Sequence, residues 1–83
     1  MDRVLIIGAG AAGSVVAQKC AMDRDTFKHI TLASRRLESC EKVATLCKTP
    51  IEIAQVDADN VPEVVALIEK VKPDLLINMA LPY

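Results

Sequence analysis

Short apolar runs separated by longer mixed stretches set out this chain. Val4-Leu5-Ile6-Ile7, Ile30-Thr31-Leu32-Ala33, Ile53-Ala54-Gln55-Val56 and Leu75-Leu76-Ile77 are brief and rich in branched aliphatics. They predict strands over residues 3–7, 30–33, 52–56 and 75–78. The first run is apolar at consecutive positions, the pattern of a strand covered on both faces. Between the runs, Leu37, Cys40, Val43, Ala44 and Cys47 recur at helical spacing and predict a helix over 37–48 with one apolar stripe. Val64, Val65, Ile68 and Val71 form the expected inner face of another helix ending near residue 71. Segment 11–22 differs: its alanines, with Val15, Val16 and Cys20, offer a small-residue face suited to close packing on a sheet.

Stop and start signals agree with these elements. Asp23 to His29 is a polar connection with Phe27 as its one aromatic plug, and His29 is read as solvated. Thr49-Pro50 stops the second helix, because the residue before a proline is pushed out of helical geometry. Asn60-Val61-Pro62-Glu63 reads as an N-cap, an early proline and an N3 glutamate, a variant of the capping box. Lys70 and Lys72 suit the end of that helix, and Pro73 closes it. The order is therefore β-α-β-α-β-α-β, which implies an α/β fold with a parallel sheet and right-handed crossovers.

Composition narrows the possibilities. The 83 residues are 52% hydrophobic and 2% aromatic, as in an α/β core filled with Val, Ile, Leu and Ala. A net charge of −1 argues against a general binder of nucleic acid or membrane surfaces. No apolar segment approaches membrane-spanning length, and the run at 4–7 is too short for a signal peptide. Three cysteines without an export signal read as reduced thiols of the cytoplasm. Cys40 and Cys47 on one helix would be ~10 Å apart, too far for a disulfide. No spacing of Cys and His suggests a metal.

The chemistry is concentrated where the first strand breaks into Gly8-Ala9-Gly10-Ala11-Ala12-Gly13. This G-x-G-x-x-G lies directly between a strand and a helix, the context the dinucleotide fingerprint requires. Gly8 can take the positive φ of a sharp turn, Gly10 lets a pyrophosphate approach the backbone, and Gly13 lets helix and strand lie close. The free amides of Ala11, Ala12 and Gly13 would face the anion. The expected architecture is a Rossmann-type, three-layer, doubly wound sheet, present here as four strands in the order 3-2-1-4. Residues 1–83 are expected to be the N-terminal part of an NAD(P)-binding domain, with the catalytic and substrate domain outside this chain.

The end of the second strand selects the dinucleotide. An NAD site usually carries an acid there, about twenty residues past the glycines. Ala33 and Ser34 occupy that position, and no acid occurs between Asp25 and Glu38. Ser34, Arg35 and Arg36 instead offer a hydroxyl and two guanidinium groups, which suit a 2′-phosphate. NADP is favoured over NAD. Asp57, closing the third strand, is expected at the adenine edge, and Asp59 is read as a cap or solvated residue. Met79 and Ala80 are expected on the nicotinamide side, and Asn78 is read as a structural amide.

The glycine motif, the Ser34-Arg35 turn, Val56-Asp57 and the exit Ile77-Asn78-Met79-Ala80-Leu81-Pro82-Tyr83 together resemble the N-terminus of the saccharopine dehydrogenase family. Its polyamine (carboxynorspermidine) branch is the nearest in appearance. The resemblance implies an NADP-dependent oxidoreductase acting on CH–NH bonds. Such an enzyme condenses an amino-acid semialdehyde with an amine and reduces the imine. It also implies a cytoplasmic homodimer with small-molecule substrates, and carries over nucleotide contacts only: Gly8, Gly10, Gly13, Ser34, Arg35, Asp57, Met79 and Ala80. No residue of this chain is assigned as catalytic, and the domain alone is expected to be inactive. Alternatives are the family's lysine branch, a nucleotide-sensing module without enzymatic activity and a flavin-binding domain, the last two of which usually want the missing acid. Self-association through an open fourth strand is a further expectation.

Overall fold

The computed structural model describes residues 2–23 and 25–79. Its elements are β1 (Arg3–Ile7), α1 (Ala11–Met22), β2 (His29–Ser34), α2 (Leu37–Leu46), β3 (Glu52–Gln55), α3 (Val61–Val71) and β4 (Leu75–Asn78). The four strands form one parallel sheet in the order β3-β2-β1-β4. The expected α/β architecture and strand order are therefore present. His29 and Ser34 extend β2 by one residue at each end, because His29 N–H finds the carbonyl of Asp2 at 2.8 Å. Helix α2 ends at Leu46, two residues before the expected boundary, with Cys47 in extended geometry at its C-cap.

Alternate residues of the strands build two cores on opposite faces. Val4, Ile6, Ile30 and Leu32 meet Ala17, Cys20 and Ala21 of α1 and Cys40 and Val43 of α2. On the other face Leu5, Ile7, Ala33 and Val56 lie under Val64, Leu67, Ile68 and Val71 of α3. Residues 4–7 are all buried, as a strand covered on both sides requires. Phe27 packs against the first core.

Two helix faces differ from the expectation. In α3 the stripe is Val64, Leu67, Ile68 and Val71, while Val65 is 46% exposed. At ~100° per residue Leu67 falls roughly 40° beyond one edge of the arc set by 64, 68 and 71, closer than Val65 at roughly 60° beyond the other. In α1 the buried positions are Gly13, Ala17, Cys20 and Ala21, and Val15 is half exposed. That helix is apolar on most sides, so its sequence alone did not select a face.

Capping follows the expected variant. Asn60 Oδ1 accepts from the Glu63 N–H at 3.3 Å, and Asn60 Nδ2 donates to the Glu63 carboxylate at 2.7 Å. Lys72, at φ 50°, ends α3 in the left-handed conformation just before Pro73. Asp74 then ties the amino end of the sheet: its Oδ2 accepts from the N–H groups of Asp2 and Arg3, each at 3.0 Å. Those donors, Arg3 first, hold its carboxyl below the ordinary aspartate range. Among the described residues, no helix is long and apolar enough to cross a membrane.

Candidate dinucleotide site

In a parallel sheet of order 3-2-1-4 the chain winds one way from β1 and the other way into β4. The crevice at the carboxyl ends of the strands, where that direction switches, is where such sheets take ligands. The structure brings nearly all the sequence-selected residues to that edge. Gly8 follows β1 and donates to the carbonyl of Ala33 at 2.7 Å, while Met79, following β4, donates to the carbonyl of Ile7 at 2.7 Å. Val56 donates to Ser34 O at 2.9 Å, which sets Asp57 beside the β2 exit. Ala80 lies outside the described residues.

The three glycines do three different jobs. Gly8 has φ 108°, a conformation that side chains with a Cβ rarely adopt. Gly13 lies against the turn: an added Cβ would collide with the Gly8 carbonyl oxygen and stand 2.8 Å from its carbon. The same Cβ would be 3.8 Å from Met79 Cβ, so the exit of β4 also packs beside the start of α1. Gly10 is required by neither constraint. Its φ of −73° is open to any residue, and a Cβ there would meet nothing within 4 Å. The fold leaves space at Gly10 that it does not itself fill.

That space lies over an uncapped helix end. Gly10 is the N-cap of α1, no side chain caps it, and the first turn carries no acid. The first intrahelical bond runs from Ser14 N–H to Gly10 O at 2.8 Å. The N–H groups of Ala11, Ala12 and Gly13 therefore have no partner within the helix, and the positive end of the helix dipole is not neutralised locally. An open, uncapped helix end of this kind suits an anion. Gly10→Ala is accordingly expected to leave the melting temperature nearly unchanged while weakening dinucleotide binding at least about tenfold. Thermal unfolding beside a binding titration reads both quantities, and undiminished affinity would remove the pyrophosphate from this loop.

The β2 exit carries the rest. Ala33 is fully buried and cannot reach a ribose, which leaves Ser34 as the strand's last available side chain. Ser34 Oγ donates to Arg36 O at 2.7 Å and accepts from Cys40 Sγ at 3.3 Å. Gln55 Nε2 holds the Arg35 carbonyl at 3.0 Å, so the turn is braced from both sides. Arg36 is the exposed N-cap of α2. The Arg35 side chain reaches across to the β3 exit: Nη2 is 3.1 Å from Asp57 Oδ1 and 3.3 Å from Asp59 Oδ2. Sequence reasoning missed this pairing, since nothing local marks Asp59 as a partner of a residue 24 positions away. The Asp59 N–H and then the Arg35 guanidinium depress the Asp57 carboxyl, and Asp57 in turn raises Arg35.

Other titratable groups lie elsewhere. His29 is exposed at the amino end of β2. Cys20 and Cys40 are buried and Cys47 half-buried, and all three are free thiols. Burial first, then Asp23 and Cys47, push the Cys20 thiol up, which makes it a poor nucleophile. No metal-ligand cluster occurs among the described residues. A depression of about 380 Å³ beside Met22, Asp23 and Lys48 lies at the far end of α1, away from the glycine turn.

A family profile for the saccharopine dehydrogenase NADP-binding domain matches residues 4–83. The chain belongs to this family. It is 46% identical over its whole length to carboxyaminopropylagmatine dehydrogenase of Synechocystis sp., covering 21% of that protein. It is 42% identical over 96% of its length to carboxynorspermidine synthase of Vibrio cholerae, covering 22%. The chain thus spans about a fifth of the length of these relatives. Among solved structures, L-threonine dehydrogenase of Clostridium difficile matches all of this chain and 25% of its own, with a TM-score of 0.72 and 23% identity. That likeness is one of fold.

Proposed function

We propose that the domain binds NADP(H) with the pyrophosphate on the amides of Ala11–Gly13 and the 2′-phosphate at Ser34, Arg35 and Arg36. Asp57 lies toward the adenine, and Met79 toward the nicotinamide. The observation that carries this reading is the pairing of an open, uncapped glycine turn with a β2 exit that bears two guanidinium groups and no carboxylate. A carboxylate at that exit would accept from a ribose hydroxyl and repel a phosphate.

The protein carrying this domain joins an amino-acid semialdehyde to a primary amine. The amine attacks the aldehyde carbon, water leaves, and the resulting imine is reduced to a secondary amine. NADPH, when bound, supplies the hydride, and this domain's part is to hold and select the cofactor. The names of the two relatives support a polyamine-type amine over lysine. The test uses the whole protein. NADPH is expected to bind at least about tenfold more tightly than NADH, and to be consumed only when aldehyde and amine are both supplied. Equal affinity for the two dinucleotides would remove the cofactor reading, and consumption with aldehyde alone would remove the condensation.

A further inference from the structure

The geometry points to Asp59 as a residue that tunes cofactor selection through Arg35, by competing with the nucleotide's 2′-phosphate for the guanidinium. The inference rests on the proposed NADP reading of the Ser34–Arg36 turn and goes beyond it, since Asp59 comes from the exit of the neighbouring strand β3.

Both carboxylates contact a single nitrogen, Arg35 Nη2. A guanidinium grips a phosphate through two nitrogens at once, either Nη1 with Nη2 or Nε with Nη2. Each fork includes Nη2, and its two N–H bonds are already shared between Asp57 and Asp59. A bidentate phosphate contact therefore requires one carboxylate to let go.

Asp59 is the one that yields. Asp57 Oδ1 also accepts the Asp59 N–H at 3.0 Å, and Asp57 O accepts the Asn60 N–H at 2.9 Å, so Asp57 builds the turn that enters α3. The Asp59 side chain is 78% exposed, its contact with Arg35 is the longer of the two, and Arg35 is its carboxylate's partner among the described residues. Gln55 anchors the Arg35 backbone, so transfer of the guanidinium needs side-chain torsions only. An exposed ion pair is weak and screened, whereas a phosphate dianion offers stronger, shorter contacts. Competition is therefore modest, and falls only on ligands that need Arg35.

The experiment titrates the protein with adenosine 2′,5′-bisphosphate and with 5′-AMP, which differ by the 2′-phosphate alone. Wild type, Asp59→Asn, Arg35→Gln and the double variant are compared. Asp59→Asn is expected to bind the bisphosphate about two- to fivefold more tightly, with 5′-AMP unchanged and no gain in the Arg35→Gln background. If Asp59→Asn binds the bisphosphate no better while wild type still prefers it to 5′-AMP, the inference is overturned and the NADP reading stands. An equal gain without Arg35 would show that Asp59 acts as a distant charge, which also overturns it. Wild type binding both probes alike would remove the NADP reading and the inference with it.

Discussion

Gly13→Ala is expected to lower the melting temperature by on the order of 10–20 °C. The added methyl would collide with the Gly8 carbonyl oxygen, a backbone atom held in place from both directions. Gly8 N–H is bound to Ala33 O, and Gly8 has a positive φ that leaves its peptide little room to rotate. Relief must come from moving α1 off the sheet. That breaks contacts of Ala17, Cys20 and Ala21 with Val4 and Ile6. Overpacking of this kind costs about 1–3 kcal/mol, and a backbone obstacle puts this site at the upper end. In a domain of this size each kcal/mol moves the midpoint by roughly 4–8 °C. Differential scanning calorimetry of the two glycine variants makes the contrast direct, because Gly10→Ala meets no atom within 4 Å. Equal melting temperatures for Gly13→Ala and wild type would mean that the loop does not lie against the helix as described.

Arg35→Gln is expected to do the reverse: little change in stability and a loss of about ten- to a hundredfold in NADPH affinity, with NADH unaffected. The side chain is 69% exposed and its ion pairs are at the surface, where such pairs contribute little to folding. A charged contact to a phosphate is worth far more, and only the phosphorylated sugar presents one. Parallel titrations with both dinucleotides separate these terms. Equal losses for NADPH and NADH would assign Arg35 to the adenine face and transfer 2′-phosphate recognition to Ser34 and Arg36.

These two positions illustrate how differently parts of the site could be read from the chain. The glycine turn was legible because its constraints are local. Strand, turn and helix follow within ten residues, and the spacing of Gly8, Gly10 and Gly13 has a stereochemical reason at each position. Even so, the spacing did not show that Gly10 is free of the fold's own demands while Gly13 is not. That depends on where the Gly8 carbonyl points. The cationic β2 exit was legible because acids are missing over a continuous stretch. Its pairing with Asp57 and Asp59 was not, since those residues arrive from another strand. Likewise the apolar stripe of α2 was visible at Cys40 and Val43, whereas α1 is apolar nearly all round and α3 placed Leu67 inward in preference to Val65.

By itself, the order of residues determined the alternation of strands and helices and a glycine turn running into a helix start without a capping side chain or an acid. Both follow from short-range periodicity, capping and the special backbone of glycine, while the sheet order was expected from the architecture that the glycine turn implies. Only the tertiary structure decided which helix faces are covered and which carboxylates reach Arg35. The reason is that β2 and β3 lie side by side, while the residues they bring together are 22 and 24 positions apart along the chain. Contacts at that separation are made by strand register and the turns beyond it, not by any neighbour in sequence.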